Sequence, residues 1–373
     1  MNKLHVTLAT LGVAALLAGC ERPPMETRQV GYRGTGMELV YNPRTVAELY
    51  AKNQPPAALP PAPEDTLLAK DVYQNVQVLN DLTVQEFTRV MLSITAWVAP
   101  PDKSCLYCHV EGEALSADTL YTKKVARQML AMTRYINTSW QPHVAQTGVT
   151  CYTCHRGKPV PQYTWFTDPG TKTAKGLSAT TAGQNSPSAA VELSSLPRDP
   201  FTPFLLGKES IRVQSNDALP VANRASIKQT EWTYALMVHM SKAMGVNCDY
   251  CHNSRAWNNW AESSPKRVVA WQGINMVRTL NNEHIVPLTG LFPANRKGPL
   301  GDVAKVYCMT CHQGVYKPLF GAPMSKDYPE LRGRVREVPA TPAAPADGAA
   351  PAATPTAAAT TAALLPSSAA KPN

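Results

Sequence analysis

The run Cys151-Tyr-Thr-Cys154-His155-Arg-Gly157 decides how this chain is to be read. It sets two thiols two residues apart with an imidazole directly after them. The same order occurs as Cys105-Leu-Tyr-Cys108-His109, Cys248-Asp-Tyr-Cys251-His252 and Cys308-Met-Thr-Cys311-His312. Cys-x-x-Cys alone suits zinc or a redox dithiol, but with the terminal histidine it is the attachment signature of c-type haem. The two thiols add to the vinyl groups of one porphyrin, and the histidine then ligates the iron from one face. Four copies use eight of the nine cysteines. Neither zinc half-sites nor a disulfide scaffold accounts for the four histidines, so the reading is four covalently bound haem c groups.

The ninth cysteine belongs to the N-terminus. Lys3 supplies a positive start, and Val6 to Leu17 is apolar but too short to span a bilayer comfortably. The stretch ends in Leu17-Ala18-Gly19-Cys20, which is similar to a bacterial lipoprotein cleavage box. The expectation is a mature chain that begins at Cys20, carries a diacylglycerol there and is exported to the periplasm. One lipid anchor holds weakly, so a protein partner in the membrane is also expected.

The formal charge is +9, and losing residues 1–19 removes Lys3 and no acid, which leaves +8. The propionates of four haems offset that surplus. Basic side chains are therefore expected beside propionates, and no nucleic-acid footprint is present.

The chain divides by composition. Residues 1–19 read as signal peptide. Residues 20–80, rich in proline with Pro55-Pro56 and Pro60-Pro61, read as an extended arm that must lie on another surface to be ordered. Residues 81–166 form a first two-haem segment, 167–200 a Ser/Thr/Ala/Gly-rich connector, and 201–325 a second two-haem segment. Residues 326–373 read as an Ala/Pro-rich tail, lacking apolar weight from about 338 onward and expected to be disordered.

The two haem segments repeat one another. Glu86-Phe-Thr answers Glu231-Trp-Thr, Val125-Ala-Arg-Gln answers Val269-Ala-Trp-Gln, and Arg134 answers Arg278. Each half is a helix, a motif, a second helix and a second motif. Thr83 with Glu86, and Ser226 with Gln229, are capping boxes. Pro100-Pro101 closes the first helix, Gly245 can end the third in a left-handed conformation, and Ser264-Pro265 opens the fourth. No strand-like alternation competes. The predicted class is mostly α with extensive irregular chain, a multihaem cytochrome c of two pseudo-symmetric halves.

An iron that only transfers electrons needs a second axial ligand, and thioether sulfur there raises the potential while imidazole lowers it. Outside the motifs and His5 only His143, His239 and His284 remain, too few for four bis-histidine sites. Methionines must therefore serve. Met91 and Met237 sit before the first and third motifs at nearly equivalent places, with Met240 and Met244 as competitors for the third haem. Met129 and Met132 share a helical face before the second motif. The partner of Met132 in the repeat is Met276, whereas that of Met129 is Gly273, which ligates nothing. Either Met132 and Met276 serve both haems, or Met129 serves the second and the fourth borrows His143 or His284.

With its lipobox, its His143-Val-Ala-Gln-Thr-Gly-Val-Thr-Cys151-Tyr-Thr-Cys154-His155-Arg-Gly157 run and its Cys311-His-Gln-Gly314, the chain resembles the tetrahaem cytochrome subunit of purple-bacterial photosynthetic reaction centres. The likeness extends to Lys317-Pro-Leu-Phe-Gly321. The resemblance implies three His/Met haems and one bis-His haem, with Met91, Met129 and Met237 on the first three and His143 on the fourth. It implies a lipid-anchored protein on the periplasmic face of the photosynthetic inner membrane. There it re-reduces the photo-oxidised bacteriochlorophyll special pair of the L and M subunits. It also implies a roughly linear chain of haems, the third nearest the special pair and the first farthest away. A soluble cytochrome c or a high-potential iron–sulfur protein would dock near the first. Arg267 matches a family arginine beside the third haem, where it would raise the potential or meet a propionate.

Three other functions compete, the weakest being a purely structural docking subunit, since four haems are far more than a scaffold needs. A multihaem enzyme needs an iron with an open position, and no protein nucleophile or acid–base constellation in the sequence demands bond chemistry. A periplasmic conduit unrelated to light would lack a photosynthetic partner. The expected protein is an electron carrier and not an enzyme.

Overall fold

Five long helices organise the described residues, and four of them begin or end where the sequence provides a signal. The computed structural model describes residues 25–34, 36–170, 185–213 and 226–333. The expected signal peptide, Cys20, positions 171–184 of the connector and the tail from 334 lie outside the described residues. Helix α1 (Pro43–Lys52) starts on Asn42, whose Oδ1 accepts from the Arg44 amide at 2.9 Å, with proline at the first position where no donor is lost. Helix α2 (Val84–Val98) carries the Thr83/Glu86 box in both directions, with Thr83 N to Glu86 Oε2 at 2.8 Å and Glu86 N to Thr83 Oγ1 at 3.3 Å. It stops at Ala99, which the following proline holds extended (φ −72°, ψ 144°).

Helix α3 (Tyr121–Ser139) buries one stripe, Leu130, Thr133, Ile136 and Asn137. Helix α4 (Ile227–Met244) repeats the box at Ser226 and Gln229 and ends on Gly245 at φ 63°. Glycine is needed there twice over, for the left-handed turn and because a Cβ would stand 2.1 Å from the Gly314 carbonyl oxygen. Helix α5 (Lys266–Thr279) follows Pro265, and the Lys266 amide reaches Ser264 Oγ at 3.4 Å.

Two small apolar clusters sit among the helices. One gathers Phe201, Phe204 and Leu205 against Leu236 and Met240 of α4 and Ile274, Met276 and Val277 of α5. The other joins Val90 and Trp97 of α2 to Leu130 of α3 and to Leu319, Tyr328 and Leu331. The architecture is mostly helical with long irregular connections.

Three segments differ from the sequence expectation. The arm 20–80 is not irregular throughout. Strands β1 (Glu26–Gln29) and β2 (Glu38–Tyr41) pair antiparallel, Glu26 opposite Tyr41 and Gln29 opposite Glu38, and α1 follows. The hairpin is tied to Asn247, whose side chain accepts from Val40 N at 3.2 Å and donates to Glu38 O at 2.8 Å. Beyond α1 the arm runs over the body, with Leu59 N donating to the Tyr328 hydroxyl at 3.0 Å.

The predicted tail also begins too early at 326. Tyr328 and Leu331 are fully buried, and Glu330 is buried in an ion pair with Arg89 of α2 at 2.8 Å. Arg89 additionally donates to the carbonyls of Leu59, Pro60 and Asp327 and lies 4.1 Å over the Tyr328 ring. That clasp fixes arm, helix and C-terminal segment to one another. Lastly, positions 185–200 of the connector pack through Val191 and Leu196 against Ala235 of α4.

Candidate haem sites

The second and fourth motifs are built alike. Cys151–His155 and Cys308–His312 each form one short helix. In each, the threonine between the cysteines turns its hydroxyl to the amide before the first cysteine: Thr150 N to Thr153 Oγ1 and Tyr307 N to Thr310 Oγ1, both 3.0 Å. Arg156 and Gln313 end the turns left-handed. The amides of Gly157 and Gly314 then donate to Trp97 O of α2 at 2.9 Å and Ala243 O of α4 at 2.8 Å. The first and third motifs are tighter turns, Ser104–Tyr107 and Cys248–Tyr250. There His109 N and His252 N reach back to Cys105 O and Cys248 O at 3.1 and 3.0 Å.

Sequence reading missed two asparagines that set these motifs in place. Asn137 of α3 exchanges bonds with the Val149 amide (2.7 Å) and carbonyl (2.9 Å), while Asn281 does the same with Val306, both at 2.9 Å. The signal was available: each follows its matched arginine, Arg134 or Arg278, by three residues.

Three of the imidazoles are held in one tautomer, whereas Nδ1 of His109 and of His252 has no such partner among the described residues. Nδ1 of His155 meets Lys158 O at 2.9 Å, Nδ1 of His312 meets Val315 O at 3.0 Å, and Nδ1 of His143 meets Val269 O at 2.9 Å. A carbonyl only accepts, so Nδ1 carries the proton and Nε2 keeps its lone pair for a metal. Burial lowers the pKa of all three, and His312 falls to about 4, so they stand neutral, as ligands must.

A cavity of about 1070 Å³ serves the first two motifs together. Cys105, Cys108 and His109 line it on one side and Cys151, Cys154 and His155 on another, with Met91, Met129 and Met132 among the remaining walls. Pockets for single small ligands run roughly 300–1,000 Å³, so this space suits bulkier groups. Met132 also packs against the core around Ile136 and Ile274. In the second half, Met240 and Met276 are core residues, each 7 % exposed, and Met237 and Met244 pack against the same cluster.

The fourth motif has a partner across the fold. The ring of His143, in the short helix Gln141–Val144, stands 6.1 Å centroid to centroid from that of His312. Its seat is Gly273 of α5, where a Cβ would come within 2.6 Å of the ring. Two imidazoles that close are the residues that would hold one metal between them.

The other histidines are otherwise engaged. His239 stacks on Tyr307 at 4.6 Å and meets the edge of Phe201 at 4.7 Å, and burial pushes it down to about 3. His284 meets Gln128 Nε2 through Nδ1 at 2.9 Å and lies against Tyr135. Arg267 lies 4.3 Å over Trp260, donates to Ser263 Oγ at 2.7 Å and Asn259 O at 3.2 Å, and its charge acts on His252. The eight motif cysteines form no disulfide. Among the described residues no three of His, Cys, Asp and Glu converge as a metal site. What the site residues offer is thiol pairs for two-point attachment, neutral imidazoles and thioether sulfurs, the donor set of haem c.

The model of the family described as photosynthetic reaction centre cytochrome c subunit matches residues 21–332. The chain belongs to that family. As a cytochrome c of this family it carries covalently bound haem c. It is 51 % identical to the photosynthetic reaction center cytochrome c subunit of Thermochromatium tepidum over 351 residues, covering 92 % of this chain and 86 % of that one. The subunit of the same name from Rubrivivax gelatinosus is 52 % identical over 92 % of this chain and 93 % of its own. That from Roseobacter denitrificans is 39 % identical over 87 % and 90 %. A shorter likeness, 34 % identical over 31 % of this chain and 25 % of its own, is to cytochrome c-554 of Chloroflexus aurantiacus. Among the described residues no helix is long and apolar enough to cross a membrane.

Proposed function

We propose that this chain is the electron-transfer subunit of a photosynthetic reaction centre and carries four haems, one on each motif. In this reading each motif's cysteine pair forms the thioethers, and His109, His155, His252 and His312 are the proximal ligands. Met91, Met129 and Met237 complete the first three sites and His143 the fourth. The observation that supports it most is the approach of His143 to His312 over Gly273: an imidazole stands where the repeat lacks a methionine.

Bound haem supplies reversible one-electron exchange, while the chain supplies spacing, orientation and potential. The carbonyls of Lys158, Val315 and Val269 keep their imidazoles in the metal-binding tautomer. Thioether ligands raise three potentials and the second imidazole lowers the fourth. Arg267, partly buried beside His252, disfavours an oxidised neighbour and so raises the third potential.

Residues 81–166 and 201–325 are read as duplicated two-haem halves. The paired Gly157–Trp97 and Gly314–Ala243 bonds, and the paired asparagine bridges, support that reading. A soluble periplasmic donor, a small cytochrome c or a high-potential iron–sulfur protein, delivers electrons at the first motif. They leave at the third for the bacteriochlorophyll special pair held by the L and M subunits. A diacylglycerol on Cys20 fastens the subunit to the periplasmic face of the membrane.

A flash given to native membranes poised with the high-potential haems reduced tests this directly. Bleaching of the haem α-bands should match the recovery of the oxidised special pair. Haems that titrate chemically yet ignore the flash would leave a cytochrome without this role.

A further inference from the structure

Arg156 follows the second motif directly and Gln313 follows the fourth, and the two residues hold one position in two copies. Both are left-handed, at φ 51° and 50°. Both point a donor at the carbonyl three residues back: Arg156 Nε to Thr153 O at 3.1 Å, Gln313 Nε2 to Thr310 O at 3.2 Å. Shape is kept and charge is not.

The guanidinium makes few contacts with protein groups. Nη2 donates to Asn53 Oδ1 at 3.1 Å, the ring of Tyr152 lies 5.5 Å from it, and Nη1 is buried with no hydrogen-bond partner among the described residues. Among the described residues no side-chain carboxylate forms an ion pair with it. Arginine does not give up its proton in proteins, so the charge is permanent. The short helix that Arg156 ends, Cys151–His155, packs against Cys308–His312 of the fourth motif.

We propose that Arg156 is a potential-setting residue between the second and fourth haems, with Gln313 as its neutral counterpart. The inference rests on the haem-carrying reading above. Losing an electron adds one positive charge to the iron site, and a fixed cation in a poorly screened interior penalises that state. The midpoint therefore rises, most at the second haem, whose proximal histidine is Arg156's neighbour in the chain, and less at the fourth. The exchange of a methionine for His143 as sixth ligand acts in the same direction. Two independent devices, a ligand and a fixed charge, thus separate the potentials of two otherwise matching sites.

Potentiometric titration of membranes containing the whole complex, resolved by α-band, tests the proposal with three variants. Arg156→Gln should lower the second haem's midpoint more than the fourth's and leave the other two in place. Arg156→Lys, which keeps the charge, should stay near the wild type, and Gln313→Arg should raise the fourth. An unmoved midpoint in Arg156→Gln overturns the idea, as does an equal drop in Arg156→Lys, which would mean that shape rather than charge matters. If Arg156→Gln fails to accumulate, Gln313→Arg decides alone, and an unchanged fourth haem refutes the proposal. The wild-type haem count and flash response report separately on the parent reading, so its failure cannot be mistaken for this one.

Discussion

The imidazole of His143 rests on the backbone of Gly273, so closely that an added methyl would meet Cε1 at 2.6 Å and Nδ1 at 3.0 Å. Gly273→Ala should therefore push the ring away from His312 at a cost of about 1–3 kcal/mol, the range for overpacking a filled site. Electron paramagnetic resonance should show one low-spin haem perturbed and three intact, with a lower denaturation midpoint. An unaltered spectrum would remove His143 from the fourth site.

Met129 and Met132 line the same cavity, but only Met132 is also packed into the core cluster. Met129→Ala should lower one haem's midpoint while the fold holds. Met132→Ala should leave the midpoints alone and cost stability instead, roughly 2–5 kcal/mol if fully buried and less here because the side chain is only partly so. Redox titration beside thermal melting separates the two, and the reverse pattern would exchange their roles.

Removing one partner of a buried ion pair strands the other charge. Arg89→Met leaves Glu330 buried and should destabilise by about 3–5 kcal/mol, whereas Arg89→Met with Glu330→Leu should recover much of the loss. The Arg89 variant should also expose the arm near Leu59 and Pro60, whose carbonyls Arg89 holds, to limited proteolysis. Equal stability of the single and double variants would show that the arm's contacts, not the charge, dominate.

Asp118 receives a two-pronged bond from Arg127, at 2.6 and 2.7 Å, which fastens the loop after the first motif to the helix that carries Met129. That pairing, with Lys123 nearby, holds its carboxyl well below the usual range. A depressed carboxylate stabilises the fold above its unfolded pKa near 3.8 and loses that contribution as pH falls. Asp118→Asn should then cost on the order of 1 kcal/mol at pH 7, the site being a third exposed and screened. The gap to wild type should begin to narrow at about pH 4 and go on narrowing as pH falls toward the depressed folded-state pKa. A gap independent of pH would assign the effect to shape alone.

The legible features were those with local causes. The capping boxes at Thr83 and Ser226, the stop at Gly245 and the four motifs all depend on residues within a turn of one another, and each stands where its pattern put it. The hairpin escaped because its anchor, Asn247, is 207 positions from Val40. The early end of the predicted tail escaped because Glu330 gains its meaning only from Arg89, 241 positions away. The choice between Met129 and Met132 is similar. Both lie on one helical face, and only the packing of His143 on Gly273, in another helix, gives the difference between their repeat partners a physical content.

The Arg89 clasp also imposes an order in time. Glu330 follows Cys308-Met-Thr-Cys311-His312 in the chain, so the group that neutralises Arg89 is synthesised only after every haem-attachment motif. Closing so long a loop is entropically expensive until the contacts that reward it exist. Until Glu330 has been made, α2, the arm and the C-terminal segment cannot be clasped together. The last lock of the fold thus lies beyond the last attachment motif in the chain.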